Sequence, residues 1–133
     1  MARDYRKIRA WQLADELAFG VYKATESFSR AEAYGLTSQI RRAAVSVPAN
    51  IVEGATRNHT KEYLQFLYQA AGSLAELGYH LEFSRRIGYV PDEEAHRLLR
   101  QQDVAARTLR ALIAYIERAG SQSSKVHSRL PGV

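Results

Sequence analysis

The 133-residue sequence contains no cysteine, so disulfides and thiolate metal sites are both excluded. A reducing compartment is compatible with that composition. Prolines number only three, and Pro48 alone falls inside an apolar periodic run. No apolar stretch approaches the roughly 18 to 20 residues of a membrane span, and Met1-Ala2-Arg3-Asp4-Tyr5-Arg6-Lys7 leads into no signal-type apolar block. A cytoplasmic protein without a membrane partner is the expectation. No segment alternates with period two, which argues against a sheet. There is also no Gly-x-Gly-x-x-Gly, Walker loop, His-Glu-x-x-His or nucleophile elbow, so no catalytic residue and no cofactor is assigned.

What remains is an ordinary globular composition, 46 % hydrophobic and 25 % charged, at a length that suits one domain. The net charge is +5, but it is unevenly placed. Residues 1–9 hold Arg3, Arg6, Lys7 and Arg9 against Asp4, while Lys125 and Arg129 lie near the C-terminal end. Residues 10–120 carry 13 basic and 13 acidic groups and are formally neutral. Fifteen of the nineteen cations are arginine, which binds phosphate bidentately and also makes the better structural ion pairs.

Apolar residues recur at three and four residue spacing through four segments. Trp11, Ala14, Leu17, Ala18, Val21, Tyr22, Thr25 and Phe28 predict a first helix over 10–29, with Trp11 as a packing anchor. Ser29-Arg30-Ala31-Glu32 has capping-box spacing and predicts a short helical turn. A second helix over 37–57, capped by Thr37, carries Ile40, Ala43, Val47 and Ile51. Thr60 is the expected cap of a third, running to about Arg86. On it Leu64, Leu67, Ala71, Leu74, Leu77, Leu81 and Ser84 form one stripe, and Tyr63, Phe66, Ala70 and Ser73 a second. Gly72, Ala75 and Gly78 on the same helix predict close backbone approach. Gly88 ends it, and Pro91-Asp92-Glu93-Glu94 opens a fourth helix to about Arg118, with Arg97, Arg100, Arg107 and Arg110 opposite its apolar face. The expected organisation is a basic lead-in at 1–9, a bundle at 10–118 and a disordered polar tail at 119–133. Four helices joined by short connections form an all-α, antiparallel up-down-up-down four-helix bundle most simply.

The second helix is the unusual one. Pro48 forfeits a bond to the carbonyl of Ala44, at a cost of about 3 kcal/mol. Ser46, Asn50 and Glu53 fall at i, i+4 and i+7 beside it. Ser46, Pro48, Asn50 and Glu53 are therefore read as a structural polar knot, whose side chains serve loosened carbonyls or a neighbouring helix. The pattern passes through Pro48 without a change of phase, which favours one kinked helix over two. Arg42 and Arg57 extend the same stripe at either end.

Bundle di-iron centres need a Glu-x-x-His on each of two helices. Glu93 with His96 is the one instance of that motif here, and Glu76 with His80 is a lone pair four apart. No metal is assigned.

Arg41-Arg42-Ala43-Ala44-Val45-Ser46-Val47-Pro48-Ala49-Asn50-Ile51-Val52-Glu53-Gly54 and the stretch Tyr63 to Leu77, with Gly72-Ser73-Leu74-Ala75-Glu76 within it, carry a family likeness. So do Tyr5-Arg6-Lys7-Ile8-Arg9-Ala10-Trp11-Gln12 and Tyr34-Gly35-Leu36-Thr37. Over most of residues 4–118 the chain resembles the four-helix-bundle family encoded in intervening sequences of bacterial 23S ribosomal RNA genes, related to the accessory proteins of diversity-generating retroelements. The resemblance implies a left-handed up-and-down bundle assembled as a ring-like homo-oligomer, a pentamer, with nucleic acid and a nucleic-acid-processing protein as partners. Ala71 departs from the basic residue expected before Gly-Ser.

The functional expectation is a non-enzymatic oligomeric module that binds RNA or DNA through phosphates, weakly selective for sequence. Arg3, Arg6, Lys7, Arg9, Arg41, Arg42, Arg57, Lys61, Arg85 and Arg86, near helix ends, are the contact candidates. A protein-interaction scaffold whose arginines pair with acids is the alternative, and a metal-dependent enzyme a distant third.

Overall fold

The computed structural model describes residues 3–128, with side chains described as far as Ser121. Four helices make up the body: α1 (Arg9–Ala24), α2 (Leu36–Ala55), α3 (Thr60–Arg86) and α4 (Asp92–Ser128), with no strand among the described residues. Helix α1 packs on α2 and α4, and α3 packs on the same two, so the helices enclose one core. Leu17, Val21, Ile40, Val47, Ile51, Leu67, Leu74, Leu77, Leu81, Leu98 and Leu109 fill it, none more than 1 % exposed. Each contributes about 1.5–3 kcal/mol of burial, and together they supply what isolated helices of this length lack in water. Those of α1, α2 and α3 come from the stripes that the spacing predicts.

Helix α2 is continuous through Pro48, and Pro48 is buried among the core residues. Its near end approaches α3 closely. A β-carbon on Gly54 would stand 2.9 Å from Cβ of Phe66 and 3.0 Å from the Tyr63 ring. Gly78 is also close-packed, against Gln102 of α4. Gly72 and Ala75 differ from expectation: both are exposed, and no atom lies within 4 Å of a β-carbon built at Gly72. They point away from the bundle because the two stripes of α3 leave that direction uncovered.

Several helix ends move relative to the sequence reading, where nearby side chains or a tertiary partner satisfy terminal backbone groups at the end of α1 and the start of α2. Helix α1 stops at Ala24, and a 3₁₀ turn at Thr25–Ser27 follows. There the Thr25 hydroxyl donates to the Val21 carbonyl at 2.9 Å, and Arg41 donates to the Tyr22 carbonyl at 3.2 Å. Phe28 then turns onto Tyr89, ring centroids 5.3 Å apart. Helix α2 begins at Leu36 behind Gly35, so Thr37 is not its cap. The Glu32 carboxylate, on the 3₁₀ turn Arg30–Glu32, accepts from the Leu36 N–H at 3.3 Å instead. Helix α3 is entered from His59, with Thr60 already inside the first turn.

At its far end α3 closes as the spacing predicts. Gly88 adopts φ 81°, and the Tyr89 N–H donates to the Ser84 carbonyl at 2.9 Å, the αL glycine and six-to-one bond of a Schellman cap. Helix α4 does not stop near Arg118. It continues through Gly120 to Ser128, since one glycine costs about 1 kcal/mol of propensity and the polar residues that follow tolerate a helix. The remainder of the tail, 129–133, lies outside the described residues.

The lead-in is structured too. Tyr5–Lys7 form a 3₁₀ turn capped by Asp4, the Tyr5 ring meets Trp11 edge-on at 4.8 Å, and the Arg3 N–H donates to the Ala55 carbonyl at 3.0 Å. Residues 3–8 thus close over the end where α2 finishes and α3 starts.

Candidate functional site

The polar knot forms a seam between α2 and α3. The Asn50 amide donates to the Ser46 carbonyl at 2.8 Å and to the Ser46 hydroxyl at 3.0 Å, and the Ser46 and Ser73 hydroxyls share a 2.8 Å bond. Both Asn50 bonds go to Ser46, so the amide braces the turn that contains Pro48 without reaching the Ala44 carbonyl. Glu53 is not part of the knot. It is exposed and its carboxylate has no partner among the described residues, because position 53 turns past the α2/α3 contact that Asn50 still touches.

One turn along the same seam Arg42 joins the Glu76 and His80 pair to make a trio, a contact the spacing alone does not reveal. Arg42 and His80 both bond the Glu76 carboxylate, His80 through Nε2 at 3.0 Å. The His80 bond above all, with desolvation opposing it and the Arg42 charge and bond adding to it, holds the Glu76 carboxyl below the usual carboxylate range. Arg42 thus reaches across to α3 instead of along its own ladder. His80 is spent on a structural bond, and Glu93 and His96 are both exposed at the start of α4. Among the described residues no three His, Cys, Asp or Glu side chains gather into a metal-holding group.

The ten candidate cations divide sharply. Arg3 stacks 3.9 Å above the Tyr63 ring and donates to the Arg57 carbonyl at 3.0 Å, while Arg57 lies 4.7 Å from the Phe66 ring centre. Arg41 donates from Nε to the Thr25 hydroxyl at 2.8 Å and covers the Tyr22 ring at 4.5 Å, closing the C-terminal end of α1. Arg85 is held by Glu82 at 2.6 Å and Asp92 at 3.3 Å, which raises its pKa further above an already basic value. Arg6 pairs with Asp4 at 3.1 Å at the surface. Arg3, Arg41, Arg42, Arg57 and Arg85 thus each bond or stack on other parts of the fold, although Arg42 stays exposed. Lys7, Arg9, Lys61 and Arg86 are exposed, and among the described residues only Arg9 of these has a side-chain partner, the neutral Gln12 amide at 3.2 Å.

The surface also carries apolar features. Phe19 is 70 % exposed and Tyr79 62 %. Phe19 borders a groove of about 300 Å³ between α1 and α2, lined also by Asp15, Ala18, Tyr22, Val45 and Pro48. Tyr79 stands 6.1 Å from Phe83 on α3. Two contacts between distant segments escape any local pattern: the Tyr89 hydroxyl donates to Glu32 at 3.0 Å and the Tyr68 hydroxyl to Glu117 at 2.6 Å. No described helix is long and apolar enough to cross a membrane.

These features define an all-helical protein whose polar chemistry is spent between its own helices, with cations and aromatic rings left on the outside. The model of the 23S rRNA-intervening sequence protein family matches residues 6–111, and the chain belongs to that family. It is similar to a protein of unknown function from the S23 ribosomal protein family of Bacteroides thetaiotaomicron, whose crystal structure superposes with a TM-score of 0.73. That likeness spans 78 % of this chain and 97 % of the other at 20 % identity, and at such identity it concerns the fold alone. No curated protein matches the chain.

Proposed function

We propose that the protein is a non-enzymatic nucleic-acid-binding module that works in the cytoplasm as a ring-like homo-oligomer of antiparallel up-down-up-down bundles. The observation that carries this reading is the set of unpaired exposed cations, Lys7, Lys61 and Arg86, on a chain of net charge +5. In a ring each such cation recurs around the symmetry axis, which multiplies a weak phosphate contact into a useful one. Two unlike apolar patches support closure into a ring, since a head-to-tail contact needs complementary and different surfaces. The Phe19 and Tyr22 groove on one copy and the Tyr79 and Phe83 projection on the next are such a pair. Five copies, and a nucleic-acid-processing protein as a second partner, are what the sequence resemblance to retroelement accessory proteins implies.

The experiment is light scattering on the purified protein, followed by salt titration of its binding to labelled RNA and DNA. Binding that weakens steeply with salt is expected. A strict monomer at high concentration overturns the ring, and no binding at low salt overturns the nucleic-acid reading. The second reading, a protein-interaction scaffold, is favoured by the internal commitment of Arg3, Arg41, Arg42, Arg57 and Arg85. It predicts an intact oligomer with no affinity for either nucleic acid.

A further inference from the structure

Resting on the nucleic-acid reading, we infer that the outward face of α4 is a docking surface for single-stranded nucleic acid, with Arg100, Arg107 and Arg118 on phosphates and Tyr115 under a base. None of these four residues belongs to the candidate clusters at the helix ends. Positions 100, 107 and 118 are seven and eleven apart, which places them within about 20° of one line along a helix. All three arginines are exposed. From Arg97 to Arg118 that helix rises about 32 Å, long enough to present the cations one after another to a linear polyanion.

The charge of this stretch is biased as the whole body is not. Residues 96–118 contain five arginines against Asp103 and Glu117, a net of +3, whereas residues 10–120 as a whole sum to zero. Glu117 is turned to the side, where it accepts the Tyr68 hydroxyl at 2.6 Å. Asp103 bonds Arg107 at 2.8 Å with both side chains mostly in solvent. Such a pair is worth at most about 1 kcal/mol, so a phosphate can displace the aspartate at little cost. Arg100, Arg110 and Arg118 have no side-chain partner among the described residues, in contrast to Arg97, which Glu94 holds at 2.6 Å.

Single strands are favoured over duplex by what stands beside the cations. Tyr115 is 61 % exposed and lies three residues before Arg118, with small Ala111 and Ala114 around it. An open ring flanked by methyl groups and a guanidinium is a stacking platform for an unpaired base, a contact that tolerates any sequence. A duplex keeps its base faces inside. Farther up the face Val104, 42 % exposed, adjoins a cleft of about 430 Å³ lined by His96, Leu99, Arg100, Asp103 and Arg107, which gives the strand a second apolar contact between two arginines.

Fluorescence anisotropy with a labelled 20-nucleotide oligouridylate and a blunt duplex of equal length tests the inference, with circular dichroism to confirm each variant's helix content. Arg100→Ala with Arg118→Ala is expected to reduce the slope of log affinity against log salt by about 1.4, roughly 0.7 per lost single-strand contact. Tyr115→Ala is expected to weaken single-strand binding by about 5- to 100-fold and leave duplex binding unchanged, with Tyr115→Phe restoring it. If the α4 variants bind as the parent does while Lys61→Ala with Arg86→Ala abolishes binding, the α4 surface is overturned and the nucleic-acid reading survives. If Tyr115→Ala is silent, or the duplex binds as tightly as the single strand, the single-strand assignment is overturned. If the parent protein binds neither probe at low salt, both readings fall together.

Discussion

Gly54→Ala sets helix propensity against packing at one atom. In an isolated helix the change is favourable by about 1 kcal/mol. Here the added carbon would stand 2.9 Å from Cβ of Phe66 and 3.0 Å from Cδ1 of Tyr63, whereas carbon atoms rest at about 3.5–4.0 Å. Neither neighbour can swing aside. The Phe66 Cβ is fixed to the α3 backbone, and Tyr63 is only 1 % exposed and covered by Arg3. The helices must therefore separate by several tenths of an ångström, and overpacking of this kind costs about 1–3 kcal/mol. The expected net is a loss of up to about 2 kcal/mol, a fall in Tm of up to roughly 7 °C for a chain of this size.

Gly78→Ala supplies the comparison. Its added carbon would meet the Gln102 amide at 2.9 Å, a flexible group that can retreat. Retreat gives up the 3.1 Å bond from that amide to the Leu74 carbonyl, about 1 kcal/mol, and recovers a similar amount of propensity. Thermal unfolding followed by circular dichroism should show Gly78→Ala close to the parent and Gly54→Ala below it. A Gly54→Ala protein that melts at or above the parent temperature refutes the reasoning.

Asn50→Leu removes both bonds to Ser46 and should lower stability by about 1–2 kcal/mol in a denaturant titration, whereas Pro48→Ala, which restores a backbone donor, should be tolerated; a rise in Tm for Asn50→Leu with assembly unchanged contradicts the bracing role. Glu76 titrates below its ordinary range in the folded protein, so its contribution is complete above the unfolded value and disappears as pH falls through the lowered folded one. Glu76→Gln should accordingly flatten the acid limb of a Tm-against-pH curve, and an unchanged limb would show that the trio contributes nothing. Arg41→Ala removes the guanidinium that closes α1 and should lower Tm by the equivalent of about 1–2 kcal/mol while single-strand binding holds; a large loss of binding with Tm unchanged would return Arg41 to the interface.

Much of the architecture is legible without coordinates because helix formation and burial share one period. Ile40, Val47 and Ile51, and Leu67, Leu74 and Leu81, are recognisable as core by spacing alone, and each is buried. Gly88 is recognisable as a helix end because only glycine takes its positive φ cheaply. The candidate site is far less legible. Arg42 has acids at several sequence distances, and its choice of Glu76, thirty-four residues away, depends on how α2 and α3 turn toward each other. Glu53 matches the spacing of Ser46 and Asn50 and still faces water, since a polar stripe is wider than the contact that buries it.

Four amphipathic helices, and a proline accommodated inside the second, follow from local backbone sterics and from the period of apolar residues. Which cations bond within the fold is a matter of how the helices pack. Whether an arginine stacks on a ring, caps a carbonyl, pairs with an acid or faces solvent is set by side chains brought near from other helices. Those choices take Arg3, Arg41 and Arg57 into the fold and leave Arg100 and Arg118 outside it.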